Sequence, residues 1–236
     1  MSNQPIGIFD SGIGGMFVLN KCASLMPNER FIYLADSAYM PYGTKHSEVI
    51  KRAAYRCADM LFAMNCKAIL VACNTATENA IDGIRTLYPD KIVVGLEPAI
   101  RPALRDLQSG YIVALVTPAT YSSQKFGNIV QSAPDRIVAL PSERLASLVE
   151  CGDDDNIERE VVSLLSPHSG ASAIVLGCSH YSYIRPIIES RYGGMAIYDG
   201  GDGAAARLLY RLKENGLTAA HGARGKIDFY STVKCI

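Results

Sequence analysis

Two short apolar runs, each ending in a cysteine, constrain this chain more than any other feature. AILVA at Ala68–Ala72 runs into Cys73, Asn74 and Thr75, and AIVLG at 173–177 runs into Cys178, Ser179 and His180. Runs this short, β-branched and bounded by small residues read as parallel strands buried on both faces, where no polar alternation is needed. Each cysteine then stands at the carboxyl end of its strand, where open α/β sheets bind ligands. A strand-end cysteine is ordinarily a small core residue. The polar residues that follow, and their repetition, point instead to chemistry at both tips.

The remaining strands read as Ile6–Phe9, Arg30–Leu34, Ile92–Leu96, Tyr111–Val116, Arg136–Leu140, Met195–Tyr198 and Ile227–Ser231, with helices between them. Ser47–Met64 has helical apolar spacing, and Thr77–Leu87 and Gly203–Lys213 are further helices. The first four strands pair with the next four at a shift of about 105 residues, the size of a small domain. This predicts an α/β fold of two pseudo-symmetric three-layer α/β domains with mainly parallel sheets and the active site in the cleft between them. The halves break near Glu97–Ala99, and Ile227–Ser231, lying beyond the second repeat, returns to the first. The expected domains are 1–97 with 208–236, and 98–207.

Composition narrows the function. The 236 residues carry zero formal net charge and no long basic run, which argues against nucleic acid as the main partner. No stretch reaches the roughly 20 apolar residues of a membrane span. MSNQPIGIF lacks the basic and apolar regions of a signal peptide. Seven cysteines, an odd number set mostly inside elements, fit reduced thiols in a cytoplasm. Cys22, Cys57 and Cys66 read as core, while Cys151 and Cys235 carry no signal.

Three chemistries compete for the strand tips. Cys73, Cys178 and His180 are possible zinc ligands, but there is no C-x-x-C pair and no H-x-x-x-H spacing, so no metal is expected. The turn Asp10-Ser11-Gly12-Ile13-Gly14-Gly15 after a strand resembles a dinucleotide fingerprint. It fails where Phe17 replaces the last glycine and where Asp10 would repel a pyrophosphate. Those glycines serve close backbone approach to a small ligand, or simply the turn. The third reading sets two thiols on opposite faces of one carbon acid: one removes a proton, the other returns one, and the centre inverts. Such thiols need tuning by neighbours, for which Asp10 beside Cys73 and His180 beside Cys178 are the candidates.

With IGIFDSGIGG at 6–15, PYG at 41–43, ACNTAT at 72–77, Thr117/Thr120/Ser123, LVE at 148–150 and GCSHY at 177–181, the chain resembles the cofactor-independent aspartate/glutamate racemase family, its glutamate racemases above all. The resemblance implies interconversion of L- and D-glutamate without a cofactor, in a cytoplasmic homodimer that supplies D-glutamate for peptidoglycan. It implies Cys73 acting on D-glutamate and Cys178 on L-glutamate, assisted by Asp10 and His180, with Glu150 near the second thiol. Asp10, Ser11, Pro41, Tyr42, Gly43, Asn74, Thr75, Thr117, Thr120 and Ser179 would line the substrate. Ser179 and Ser182 stand where the family usually has threonine and proline, and Met16-Phe17 replaces a commoner Leu-Thr or Leu-Ser. The few residues before the first strand leave no room for the activator-binding extension of some relatives. Two alternatives remain: a racemase for aspartate or another acidic amino acid, and a partner-binding protein on this scaffold, as in family members that bind DNA gyrase.

Overall fold

The computed structural model describes residues 2–220, 222 and 224–233; Cys235 lies outside them. Its strands are β1 (Ile6–Asp10), β2 (Arg30–Ala35), β3 (Ala68–Val71), β4 (Ile92–Gly95), β5 (Ile112–Val116), β6 (Ile137–Pro141), β7 (Ala173–Leu176), β8 (Ala196–Asp199) and β9 (Lys226–Ser231). Between them run α1 (Met16–Leu25), α2 (Ser47–Ala63), α3 (Asn74–Leu87), α4 (Ile100–Asp106), α5 (Pro118–Tyr121), α6 (Gln124–Gln131), α7 (Leu145–Cys151), α8 (Asp154–Leu165), α9 (Arg185–Arg191) and α10 (Gly201–Glu214).

The strands form two parallel sheets, ordered β4-β3-β1-β2-β9 and β6-β5-β7-β8. Removing β9 leaves the same order in both, with β5, β6, β7 and β8 in the places of β1, β2, β3 and β4. Register repeats too: Ile6 faces Phe31 and Ala68, while Ile112 faces Ile137 and Ala173. The four strand pairings read from sequence therefore hold in three dimensions.

Each sheet is apolar on both faces, so each requires cover on both. One face of the first sheet packs Phe9, Leu34, Ile69 and Val71 under Ile50, Leu61 and Ile84 of α2 and α3. The other packs Ile6, Ile8 and Leu70 under Leu19 of α1 and Leu208 of α10. The second sheet is covered by α7, α8 and α9 on one face and by α4 and α6 on the other. Helix α10 buries Gly201, Ala204, Ala205, Leu208 and Leu212, those from Ala204 onward in the first-sheet core. The chain thus crosses back at Asp199–Gly201, ahead of the crossing expected after Arg207. Among the described residues no helix is long and apolar enough to cross a membrane.

Candidate active site

The functional side chains come from the carboxyl ends of β1, β3, β5 and β7, where the two sheets face each other. Helix α3 starts at Asn74, three residues earlier than its sequence pattern suggests, which makes Cys73 its N-cap. Asn74 and Thr75 read as a polar turn, yet both are buried in the first helical turn. The Ala76 N–H points at the Cys73 sulfur and favours its thiolate, as helix amides do. Burial outweighs this: it pushes the thiol well above its ordinary range, and the nearby Asp10 carboxylate and Cys178 add to the rise. Cys178 instead opens a 3-10 turn, Ser179–Ile184, that the sequence did not announce.

Asp10 joins the two halves. Its Oδ2 accepts from the Gly15 N–H at 2.9 Å, and its Oδ1 accepts from Ser179 Oγ at 3.2 Å. Burial raises its carboxyl above the usual range, opposed by the charge on His180 and by the Gly15 amide. Cys73 Sγ lies 3.9 Å from Ser11 Oγ, toward which its S–H points. The glycine turn admits the opposite half rather than a ligand: a Cβ on Gly14 would lie 2.6 Å from the His180 backbone nitrogen and 2.7 Å from Ser179 Oγ.

On the other side, Cys178 Sγ is 4.0 Å from His180 Nδ1. The second ring nitrogen, Nε2, bonds Glu150 Oε2, which also accepts from the Ile13 N–H at 3.0 Å. Burial disfavours a charged His180, but its bonds to Cys178 and Glu150 and the charges of Cys178 and Asp10 hold its pKa well above the ordinary 6.5. Burial likewise works against the Glu150 carboxylate, and the bonds from His180 and Ile13 overcome it, lowering its pKa. Both shifts favour the pair as carboxylate and imidazolium. Cys73, Asp10, Ser179, His180 and Cys178 thus form one continuous buried cluster, with the thiols only 4% and 7% exposed. Each thiol has its own ionisable neighbour.

A second cluster lies beside it. Thr75 Oγ1 is 2.9 Å from Thr117 Oγ1 and 3.4 Å from Thr120 Oγ1, and Thr117 and Thr120 are 3.1 Å apart. Asn74 Nδ2 donates to the Leu96 carbonyl, while its buried Oδ1 has no hydrogen-bond partner among the described residues. Tyr42 is buried and its hydroxyl donates to Asp36 Oδ2 at 2.5 Å, so the side chain anchors the PYG loop. Pro41 is half-buried, and Gly43 abuts Thr117. Asp36, one residue past β2, is a further buried acid beside this loop, and its signal in the sequence is an acid closing the strand next to that of Asp10. Among the described residues no cluster of His, Cys, Asp or Glu could hold a metal ion.

Comparison with known proteins agrees with this geometry. A family described as Asp/Glu/Hydantoin racemase matches residues 18–208. The glutamate racemase of Clostridium perfringens is 34% identical over 99% of this chain and 93% of its own length. The crystal structure of Francisella tularensis glutamate racemase in complex with D-glutamate superimposes with a TM-score of 0.85 at 30% identity, covering 100% of this chain and 90% of that one. The Bacillus anthracis enzyme, at 24% identity, shares the fold with a TM-score of 0.88 over 99% of this chain and 90% of its own. With its paired sheets, its two strand-end thiols and these full-length likenesses, the chain belongs to the aspartate/glutamate racemase family, among its glutamate racemases.

Proposed function

We propose that this protein racemises glutamate by a two-thiol mechanism, Cys73 acting on the α-hydrogen of D-glutamate and Cys178 on that of L-glutamate. The observation that carries this reading is the single buried cluster that links two strand-end thiols from opposite halves through Asp10, Ser179 and His180. One thiolate takes the α-proton, the electron pair passes into the carboxylate as an enediolate, and the opposite thiol gives its proton to the other face. Asp10 assists Cys73. The His180–Glu150 pair assists Cys178. Carbon acids of this kind demand fixed donors for the developing carboxylate charge in a dry site. Ser11, Ser179, the first amides of α3 and the backbone of Pro41, Tyr42 and Gly43 are suited to that task. Asn74 Oδ1 is an acceptor suited to the substrate ammonium. The threonine hydroxyls satisfy one another across the cleft, so substrate entry must part Thr75 from Thr117 and Thr120. The halves that part are the expected 1–97 with 208–236, and 98–207, except that 201–207 belong to α10, which packs on the first sheet and moves with it.

Purified protein should erase the circular dichroism of L-glutamate without added cofactor, and in deuterated water the α-position should acquire deuterium. Cys73→Ala and Cys178→Ala should each abolish racemisation. Persistent optical activity with the parental protein would sink the reading. A panel including aspartate separates the glutamate enzyme from one acting on another acidic amino acid. Supply of D-glutamate to peptidoglycan, and a homodimer, belong to the same reading; complementation of a D-glutamate auxotroph and sedimentation test them.

A further inference from the structure

Asp36 is a fully buried carboxylate outside the thiol cluster. A buried charge is costly unless it is paired and hydrogen-bonded. Here Oδ1 accepts from Arg56 Nη2 at 2.7 Å and from Thr232 Oγ1 at 2.8 Å, while Oδ2 accepts from the Tyr42 hydroxyl. Its own N–H donates to the Asp10 carbonyl at 2.8 Å. One side chain therefore ties together the end of β2, helix α2, the PYG loop and the residue after β9.

Thr232 does more than donate. Its hydroxyl oxygen accepts from the Ala38 N–H at 3.1 Å, and its N–H donates to the Ala35 carbonyl at 3.0 Å. It closes the turn 35–38, from which the PYG loop departs. At the other end of that loop, a Cβ on Gly43 would lie 2.8 Å from both Thr117 Cβ and Cγ2. With clearance this small, any drift of Tyr42 shifts Gly43 against Thr117, and Thr117 bonds Thr75 and Thr120.

We infer that Asp36 is a positioning residue for the threonine-lined side of the substrate cleft, and that Thr232, beyond the last strand, acts on substrate binding through it. The inference rests on the glutamate racemase reading. Asp36 touches no reacting atom; it fixes Tyr42, and Tyr42 fixes the height of the loop over Thr117. Loss of this support weakens ground state and transition state alike, because the carboxylate contacts persist through the reaction, so KM rises while kcat holds.

The test uses full-length protein with Thr232→Val, Thr232→Ser, Tyr42→Phe, Asp36→Asn and the double variant Thr232→Val/Tyr42→Phe. Steady-state rates are measured from both enantiomers, D-glutamate affinity by calorimetric titration, and melting by circular dichroism. Thr232→Val should raise KM and Kd about fivefold, the worth of one hydrogen bond, with kcat within about twofold of the parent. Thr232→Ser should restore parental values, and the double variant should show less than the product of the single effects, since both act through one carboxylate. Asp36→Asn should exceed either. Parental KM in Thr232→Val would overturn the inference. So would a fall in kcat that tracks lost melting temperature, or multiplicative effects in the double variant, since Asp36 is then only a structural hub. An inactive parent would overturn the functional reading instead, while titration of D-glutamate into the variants still reads the positioning role.

Discussion

Replacing Glu150 by Gln tests how the second thiol is tuned. Glu150 Oε2 accepts two bonds, one from His180 Nε2 and one from the Ile13 N–H. A glutamine has a single acceptor oxygen, no charge, and an NH2 that cannot accept. Placed where Oε2 stands, that oxygen can still accept both bonds, but the imidazolium loses its counter-charge in a site where His180 is 3% exposed. A buried hydrogen bond to a charged group is worth about 1.5–3 kcal/mol. If that energy is realised when Cys178 gives or takes a proton, kcat/KM falls by roughly ten- to a hundredfold. The fall must be equal in both directions, because enantiomers have equal free energy and their kcat/KM ratio is fixed at equilibrium. The directions differ in isotope effect. From L-glutamate, Cys178 breaks the α-bond, so slowing that step brings the isotope effect on kcat/KM toward its intrinsic size. From D-glutamate, Cys73 breaks the bond and Cys178 acts afterwards, so the effect sinks toward unity. Competition between α-protiated and α-deuterated glutamate, read by mass spectrometry, gives both values. An undiminished kcat/KM, or isotope effects that move the opposite way, would refute the pairing of Glu150 with Cys178.

The same pair sets a stability window. His180 is raised above its ordinary 6.5, so its contribution is complete below that value and lost as pH climbs through the folded pKa. Glu150 is lowered below its ordinary 4.5, so its contribution stands above that value and disappears as pH falls through the folded pKa. Resistance of the parent to urea should therefore be greatest between the two ordinary values, 4.5 and 6.5, and decline beyond them on both sides, and Glu150→Gln should flatten both limbs. Lys67→Met should cost about 3–5 kcal/mol in the same assay, because Lys67 and Glu29 form an ion pair buried at 1% and 5% exposure and Glu29 would be left uncompensated. Gly43→Ala forces Thr117 aside by several tenths of an ångström and should raise KM for both enantiomers; unchanged KM would show that the loop gives way instead.

Much of this was legible in the sequence, and the parts that were not share a cause. The cysteine strands announced themselves because four consecutive apolar residues have few other fates, and the repeat then placed their tips on matching sites. The start of α3 was misplaced because Asn74 and Thr75 look like a solvated turn; their polarity serves a buried cleft. The Ile13–Glu150 and Asp10–Ser179 contacts join residues 137 and 169 apart, and no local pattern encodes such a meeting. The hold of Asp36 on the Tyr42 hydroxyl is equally unmarked, because the PYG motif does not name the residue that anchors it. The pairing of Lys67 with Glu29 has no sign in the sequence, since burial of a charge leaves no mark on spacing.

The late arrival of β9 bears on biogenesis. Thr232, the residue after it, meets Asp36 across 196 residues, so β2 is made long before its outer neighbour. At ordinary translation speeds that is a delay of roughly 10–40 s, during which the second sheet can assemble from continuous chain while β2 displays an unsatisfied backbone edge. Nascent copies crowded on a polysome would be at their stickiest in that interval, and a chaperone that shields strand edges would have most to do then.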